Sequence, residues 1–107
     1  MFNVLKMIVF GGSRSTGLAW EVSKKKGFTL GKTTIERFPD GEVYVRVDSS
    51  VKGVECALIQ STRTSEDFME LFLTLDALRD SGAHQVHAVV PYMGYMRQDK
   101  RFKDGEA

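Results

Sequence analysis

Two short segments of the chain combine residue types that can bind a nucleotide. In the first, the ring of Phe38 can stack on a flat base, and the carboxylates of Asp40 and Glu42 can accept hydrogen bonds from an exocyclic amine or a hydroxyl. The same stretch also makes a turn, because Pro39 presets φ and Gly41 accepts a positive φ. Taken alone, the segment is more typical of a plain hairpin tip, and the binding interpretation stays open beside it.

The second segment is cationic and follows a predicted strand. Its positive charges are Arg97, Lys100, Arg101 and Lys103. Arginine presents a planar fork to phosphate oxygens and lysine presents a point charge, so such a loop suits a polyphosphate ligand. A solvated charged loop explains the same residues. Residues 92–96, just before it, add aromatic surface near the same place.

A glycine-rich turn at residues 11–17 is the third candidate. A helix that begins in such a turn can hold a phosphate on its free backbone N–H groups. The spacing is neither G-x-G-x-x-G nor the P-loop pattern. The simpler interpretation is that the glycines let a strand turn tightly into its helix.

Alternating strands and helices must position these segments. Apolar runs and turn residues predict a strand at 4–10, a helix at 16–26 that ends at Gly27, a hairpin of strands 32–38 and 42–48, a strand at 54–60, a helix from residue 66 that ends at Gly82, and a strand at 86–91. We expect the three strands outside the hairpin to be buried. This order predicts an α/β fold with a parallel sheet covered on both faces and the hairpin as an excursion. Ligands bind outside the carboxyl ends of the strands in such sheets, where residues 11–17 and 92–103 are expected.

The first predicted helix has a cap, an apolar face and a basic end. Ser15 or Thr16 can cap its N-terminus. Leu18, Ala19 and Val22 form its apolar stripe. Three lysines occupy its last turn, where cations suit the helix dipole.

The second predicted helix is the clearest in the chain. Thr64 and Asp67 have the spacing of a capping box at its N-terminus. Its apolar face is formed by Phe68, Leu71, Phe72, Leu75 and Leu78.

The composition argues against several classes of function. The 15 Lys and Arg nearly balance the 14 Asp and Glu, and the net charge of +1 gives no overall positive field for nucleic acid or an anionic membrane. No apolar run approaches the roughly 20 residues of a membrane span. The single cysteine, Cys56, is expected to fill the core, and a reducing, cytoplasmic setting fits. His84 and His87 have no Cys or paired carboxylate at metal-ligand spacing, so no metal site is expected.

The end of the chain is unusual for this architecture. A strand leads into a polar, charged segment at residues 92–107 without a closing helix. We therefore expect the 107 residues to be an incomplete, truncated domain.

Four stretches, in this order, resemble the N-terminal part of ribose-phosphate pyrophosphokinase, also called phosphoribosyl pyrophosphate synthetase. They are VFGGS at 9–13 followed by LA at 18–19, RFPDGE at 37–42, MEL at 69–71 with DALR at 76–79, and VPYMGYMRQDK at 90–100. RF-x-DGE and Y-x-RQDK, taken as a pair, are specific to this family. The resemblance spans essentially the whole chain, and residues 101–107 look most like archaeal members.

The resemblance implies a fold and a reaction. Members of the family transfer the β,γ-diphosphoryl group of ATP to the 1-hydroxyl of ribose 5-phosphate, with Mg²⁺ as cofactor, to give phosphoribosyl pyrophosphate and AMP. Their fold resembles two phosphoribosyltransferase-like domains in tandem. Residues 1–107 then correspond to the N-terminal, ATP-side domain, incomplete and without the C-terminal domain.

The resemblance also implies where ATP binds. A segment of one subunit meets the adenine, and a segment of its neighbour also meets ATP. A homo-oligomer is therefore implied, in the family a hexamer built from dimers. The residues that match these two segments are Phe38, Asp40, Gly41 and Glu42 in the first, and Arg97, Gln98, Asp99 and Lys100 in the second.

Three functional segments of the family have no counterpart in this sequence. They are the metal-binding His that follows the cationic segment, the mobile Lys/Arg loop, and the acidic-glycine loop that holds ribose 5-phosphate. No catalytic residue and no metal ligand is therefore assigned, and these 107 residues are expected to be inactive alone. Two alternatives stay open: a non-catalytic regulatory subunit that associates with active synthetases, and a generic nucleotide-binding α/β module.

Overall fold

The computed structural model describes residues 7–107, and its elements follow the predicted order. The strands are β1 (Met7–Gly11), β2 (Thr29–Leu30), β3 (Thr33–Arg37), β4 (Val43–Val47), β5 (Glu55–Ile59) and β6 (Gln85–Val89), and the helices are α1 (Thr16–Lys26) and α2 (Ser65–Asp80). Residues 4–6 of the first predicted strand lie outside the described residues. The two-residue strand β2 is additional to the predicted order.

The main sheet is parallel, with the strand order β2-β1-β5-β6. Strand β5 pairs along its whole length with β1 on one side and β6 on the other. Strands β3 and β4 form a separate antiparallel pair joined by the Pro39-Asp40-Gly41 turn. The predicted α/β fold, parallel sheet and excursion hairpin are confirmed.

The core has two layers because side chains alternate along the central strands. Val9, Ala57 and Ile59 point to one face and pack with Ala19 of α1. On the other face, the strand side chains Phe10, Cys56 and Leu58 pack with Leu71 and Leu78 of α2. The prediction that Cys56 fills the core is confirmed, and burial raises the pKa of its thiol, with the Glu55 carboxylate adding to the effect.

The prediction that residues 86–91 form a buried strand is wrong for most of β6. This strand lies at the edge of the sheet, and only Val86 packs against the α2 layer. His87 and Val89 on β6 are exposed, Val89 by 44%. Apolar composition alone does not distinguish an edge strand from a central one, because position in the sheet is set by pairing.

Two details of α1 also differ from the predictions. Leu18 is 46% exposed, so the buried stripe of α1 is centred on Ala19 and Ser23 instead. Ser15 occupies the cap position, but its side chain makes no capping hydrogen bond and accepts one from the backbone N–H of Ser61, at 3.1 Å. The predicted end of α1 is confirmed, since Gly27 adopts a left-handed φ of 69°.

The inward face of α2 is more polar than predicted. The capping box of Thr64 and Asp67 is present, but Phe72 is 54% exposed. The buried positions of the helix are Asp67, Glu70, Leu71, Thr74 and Leu78. Neither of the two helices in residues 7–107 has the length and apolar character of a membrane-spanning helix.

Candidate functional site

The loops after β1 and β5 lie side by side at the point where the connections from neighbouring strands diverge to opposite faces of the sheet. These strands are neighbours, and the helices that follow them lie on opposite faces of the sheet. In open parallel sheets, such a switch point opens a crevice outside the carboxyl ends of the strands, and ligands bind there. The loops 12–15 and 60–64 therefore frame the candidate site.

The glycine-rich turn after β1 is occupied by protein groups. A Cβ on Gly12 would lie 2.2 Å from Oε1 of Gln60, so a side chain has no room there. The backbone N–H of Ser13 donates to Glu70 at 2.7 Å, and that of Arg14 donates to Gln60 at 3.0 Å. Because these N–H groups already have acceptors, the geometry favours the turn interpretation over a phosphate cradle.

Glu70 is a buried carboxylate that the sequence analysis did not single out. It is 1% exposed and accepts hydrogen bonds from the N–H and hydroxyl of Ser13 and from the amide of Gln60. Its place within the MEL stretch was the only signal, because a glutamate in a helix is usually solvated. Glu70 anchors the turn after β1 to α2.

Asp67 organises the loop after β5. Its carboxylate accepts hydrogen bonds from the backbone N–H groups of Arg63 and Thr64, at 2.9 and 3.0 Å, and from the guanidinium of Arg14 at 3.0 Å. Burial raises the pKa of Asp67, but the hydrogen bonds from Arg14 and the two backbone groups outweigh it, and the net pKa is lowered. Asp67 therefore ties both loops of the crevice together.

The predicted adenine segment forms the tip of the β3–β4 hairpin. Phe38 is 48% exposed and packs edge to face with Tyr44, at 5.8 Å between ring centroids. The N–H of Glu42 donates to Oδ1 of Asp40 at 3.0 Å, so one oxygen of Asp40 already serves the turn. Gly41 has a φ of 96°, which an L side chain rarely adopts.

A groove of about 470 Å³ separates this tip from the start of α2. Phe38 and Glu42 line one side, and Met69 and Leu73 line the other. The exposed ion pair between Arg37 and Glu66, 2.8 Å long, joins the same two elements. The groove therefore offers an aromatic ring, apolar walls and a carboxylate at one place.

The segment after β6 is held against the loop after β5. Thr62 is fully buried, and its N–H donates to the carbonyl of Tyr92 at 2.8 Å. The N–H of Gly94 donates to the carbonyl of Thr62 at 2.7 Å, and a Cβ on Gly94 would lie 2.3 Å from that oxygen. Tyr95 adopts a φ of 64°, and its hydroxyl bonds to that of Ser65. Such strain persists only where the surroundings enforce it.

A second cavity, of about 640 Å³, lies beside this segment. Arg97, Gln98 and Arg63 line it together with Tyr92 and residues 93–96. Arg63 lies over the Tyr92 ring, 5.1 Å from its centroid, and was missed by the sequence analysis because it lies outside the cationic cluster. The cavity therefore carries two guanidinium groups.

The remaining predicted residues lie in the last irregular segment. The amide of Gln98 donates to the carbonyl of Lys100 at 2.8 Å and to Glu106 at 3.2 Å. Lys100 lies over the ring of Phe102, 5.2 Å from its centroid, and Asp99 is exposed. Neither Asp99 nor Lys100 lines the cavity of Arg97 and Gln98.

The two predicted segments flank the first turns of α2 without meeting. A third cavity, of about 530 Å³, lies between α2 and the segment after β6 and is lined by Ser65, Phe68, Met69 and residues 93–96. None of these three cavities is lined by both Phe38 and Arg97. Across residues 7–107, no group of three or more His, Cys, Asp and Glu side chains is arranged to hold a metal ion.

Comparisons with known proteins point to one family. The family model of the N-terminal domain of ribose phosphate pyrophosphokinase matches residues 7–107. The ribose-phosphate pyrophosphokinase of Saccharolobus solfataricus is 47% identical over 94% of this chain and 35% of its own length. The corresponding proteins of Methanobrevibacter smithii and Fusobacterium nucleatum are 46% and 38% identical, over 34% of the length of each. The chain thus spans about a third of the curated relatives it matches.

Solved structures agree with this result. The phosphoribosylpyrophosphate synthetase of Mycobacterium smegmatis superimposes with a TM-score of 0.88 at 30% identity, over 96% of this chain and 35% of that one. A purine phosphoribosyltransferase of Pyrococcus horikoshii superimposes with a TM-score of 0.61 at 13% identity, over 82% of this chain and 61% of that one. The second likeness shows that the fold is phosphoribosyltransferase-like.

Proposed function

The chain belongs to the family of N-terminal domains of ribose phosphate pyrophosphokinase, and we propose that it is the ATP-binding part of such an enzyme. In the proposed reaction, the 1-hydroxyl oxygen of ribose 5-phosphate bonds to the β-phosphorus of ATP. The bond from that phosphorus to the oxygen bridging it to the α-phosphorus breaks, AMP leaves, and the hydroxyl proton is released. The activity is proposed for the protein that contains this domain, since the chain spans about a third of its relatives.

One observation carries the proposal. The two segments that match the family's ATP motifs lie on either side of the first turns of α2, and each lines an open cavity of suitable chemistry. At the hairpin tip, an exposed ring beside apolar walls suits a base. At the other cavity, Arg97 and Gln98 suit phosphate oxygens.

The separation of the segments supports a site shared between copies of the chain. Phe38 and Arg97 line different cavities, so one copy would supply the adenine segment and its neighbour the phosphate segment. We propose a homo-oligomer on this ground, in the form of the hexamer built from dimers that the family resemblance implies.

The cofactor proposal is Mg²⁺, which would be held mainly by the phosphates of ATP. Magnesium at nucleotide sites is usually bound by substrate phosphates and one or two carboxylates. Since the described residues hold no metal-ligand cluster, we assign none of them as a ligand. The residues of this chain would instead position ATP and neutralise its charge, which is the main work of a protein in phosphoryl transfer.

Calorimetric titration tests the proposal on the chain itself. We expect ATP with Mg²⁺ to bind more tightly than inorganic tripolyphosphate, which has no base to stack on Phe38. We also expect it to bind more tightly than GTP, because the carboxylates of the hairpin tip would accept a hydrogen bond from the exocyclic amine of adenine. Phe38→Ala should lower the ATP affinity about tenfold, the value of one base–aromatic stack, and leave the tripolyphosphate affinity unchanged. Trp20→Ala, which removes another exposed ring on α1, is the matched control. Equal affinities for ATP, GTP and tripolyphosphate would contradict the proposal.

A further inference from the structure

We infer that Arg63 is a second phosphate-binding guanidinium, which acts beside Arg97 in the cavity lined by residues 92–98. Arg63 lies outside the four stretches that carry the family resemblance. The inference rests on the proposed function, because it takes the phosphate chain of a nucleotide as the anion.

The backbone of Arg63 is held in place at the carboxyl end of β5. Its N–H donates to Oδ2 of Asp67 at 2.9 Å, and Asp67 also caps α2. The preceding residue, Thr62, is fully buried and bonded to Tyr92 and Gly94. The base of the Arg63 side chain is thus fixed relative to the segment that carries Arg97.

The side chain of Arg63 lies against the cavity. Its guanidinium lies over the ring of Tyr92, 5.1 Å from the centroid, and both residues line the cavity with Arg97. A guanidinium carries five N–H donors in a planar fork, and a contact with a ring uses none of them as a hydrogen bond to a protein acceptor, so the fork remains able to bind an anion.

The positive charge of the cavity is not neutralised within the described residues. Over residues 7–107, the ion pairs of the chain use Arg14, Arg37, Arg46 and His87, and neither Arg63 nor Arg97 takes part in one. Neither guanidinium donates a hydrogen bond to another residue in that range. Two guanidinium groups without an ion-pair partner in that range thus line one cavity, and an anion bound there would be attracted by both.

The shape of the cavity suits an extended anion more than a single ion. Gln98 adds an amide donor beside the two guanidinium groups, and the volume of about 640 Å³ exceeds the needs of one phosphate. Forked guanidinium donors match the paired oxygens of phosphate groups. The ligand class is therefore a polyphosphate chain, such as that of a nucleoside triphosphate.

The test is a calorimetric titration of the chain with inorganic tripolyphosphate and then with ATP. Wild type is compared with Arg63→Gln, Arg97→Gln and the control Arg79→Gln, an exposed arginine in the last turn of α2. We expect Arg63→Gln and Arg97→Gln each to lower the tripolyphosphate affinity about tenfold, which is the usual value of a charged hydrogen bond. Arg63→Lys should recover part of it, because lysine keeps the charge but loses the fork.

The outcomes separate this inference from the proposed function. Wild-type affinity in Arg63→Gln, or no tripolyphosphate binding by wild type, would overturn the role of Arg63. If ATP binds more tightly than tripolyphosphate and only Arg97→Gln weakens it, the proposed function stands and the inference fails. If Arg63→Gln weakens tripolyphosphate but ATP binds no better than tripolyphosphate, the anion site stands and the proposed function fails. Unfolding midpoints in urea show whether each variant is folded.

Discussion

Glu70 accepts two hydrogen bonds from Ser13, one from the backbone N–H at 2.7 Å and one from the hydroxyl at 2.6 Å, across 57 positions of the sequence. Ser13 lies in the turn after β1, and Glu70 lies on the buried face of α2. A buried carboxylate is stable only when its oxygens are satisfied, and a third donor from Gln60 completes this one. This pair fixes one wall of the crevice without belonging to either proposed ATP segment.

Glu70→Ala should lower the free energy of unfolding by about 2–4 kcal/mol. The substitution leaves the buried Gln60 amide without this acceptor, at a cost of roughly 1–3 kcal/mol, and it also removes the partly buried hydrogen bonds from Ser13. Urea denaturation followed by circular dichroism measures the change.

Glu66→Ala is the matched control for that substitution. Glu66 lies one turn earlier on the same helix, but its side chain is exposed, and among residues 7–107 its one ion pair is the surface pair with Arg37. Such pairs contribute about 0–1 kcal/mol. Equal losses for the two variants would show that Glu70 has no special structural role.

Asp67→Asn should make the stability of the fold less sensitive to a fall in pH. The pKa of Asp67 is lowered in the folded chain, so its charged form stabilises the fold above the unfolded pKa of about 3.9. That contribution is lost as the pH falls through the lowered, folded pKa. The difference in urea midpoint between wild type and Asp67→Asn should thus be largest near pH 7 and shrink below about pH 4.

The control for this pH series is Asp76→Asn, at an exposed position of α2. The pKa of Asp48 is also lowered, but Asp48 is present in both proteins and its effect cancels in the comparison. A constant gap between wild type and Asp67→Asn from pH 7 to pH 3 would contradict the prediction.

Gly94→Ala should weaken phosphate binding more than it weakens the fold. The added Cβ would lie 2.3 Å from the carbonyl oxygen of Thr62, so the segment carrying Arg97 must move away. The core layers do not include this segment. We expect a loss of tripolyphosphate affinity of about tenfold, measured by calorimetry, from the displaced charged contact.

Gly17→Ala serves as the comparison, because nothing lies within 4 Å of its Cβ position in α1. Alanine in a helix is favoured over glycine by up to about 1 kcal/mol, so this variant should keep its affinity and gain slightly in stability. Unchanged tripolyphosphate binding by Gly94→Ala would show that the position of this segment does not matter.

The two carboxylates of the hairpin tip should differ in their effect on ATP binding. One oxygen of Asp40 accepts from the N–H of Glu42, and an asparagine can keep that bond. Glu42 lines the groove with Phe38, whereas Asp40 does not. We expect Glu42→Gln to reduce the ATP affinity more than Asp40→Asn, in calorimetric titrations where both variants keep the wild-type circular dichroism spectrum. A larger effect of Asp40→Asn would reverse this assignment.

Local patterns in the sequence determined the elements and the family of this protein. Alternating apolar runs, the Gly27 end of α1, the Thr64–Asp67 capping box and the Pro39-Asp40-Gly41 turn all act within a few residues, and each is present in the structure. The RF-x-DGE and Y-x-RQDK motifs identified the family for the same reason, since they are contiguous in the chain.

Only the tertiary structure decided which residues share an environment. The burial of Glu70 depends on a turn 57 positions away, and the pairing of Arg63 with Tyr92 depends on the Thr62–Gly94 contact between two loops. The exposure of β6 follows from its edge position in the sheet, and that of Leu18 from which face of α1 packs against the sheet, and no local pattern specifies either. Contacts between distant segments depend on the whole fold, and for that reason the polar network and the second guanidinium emerged only from the assembled structure.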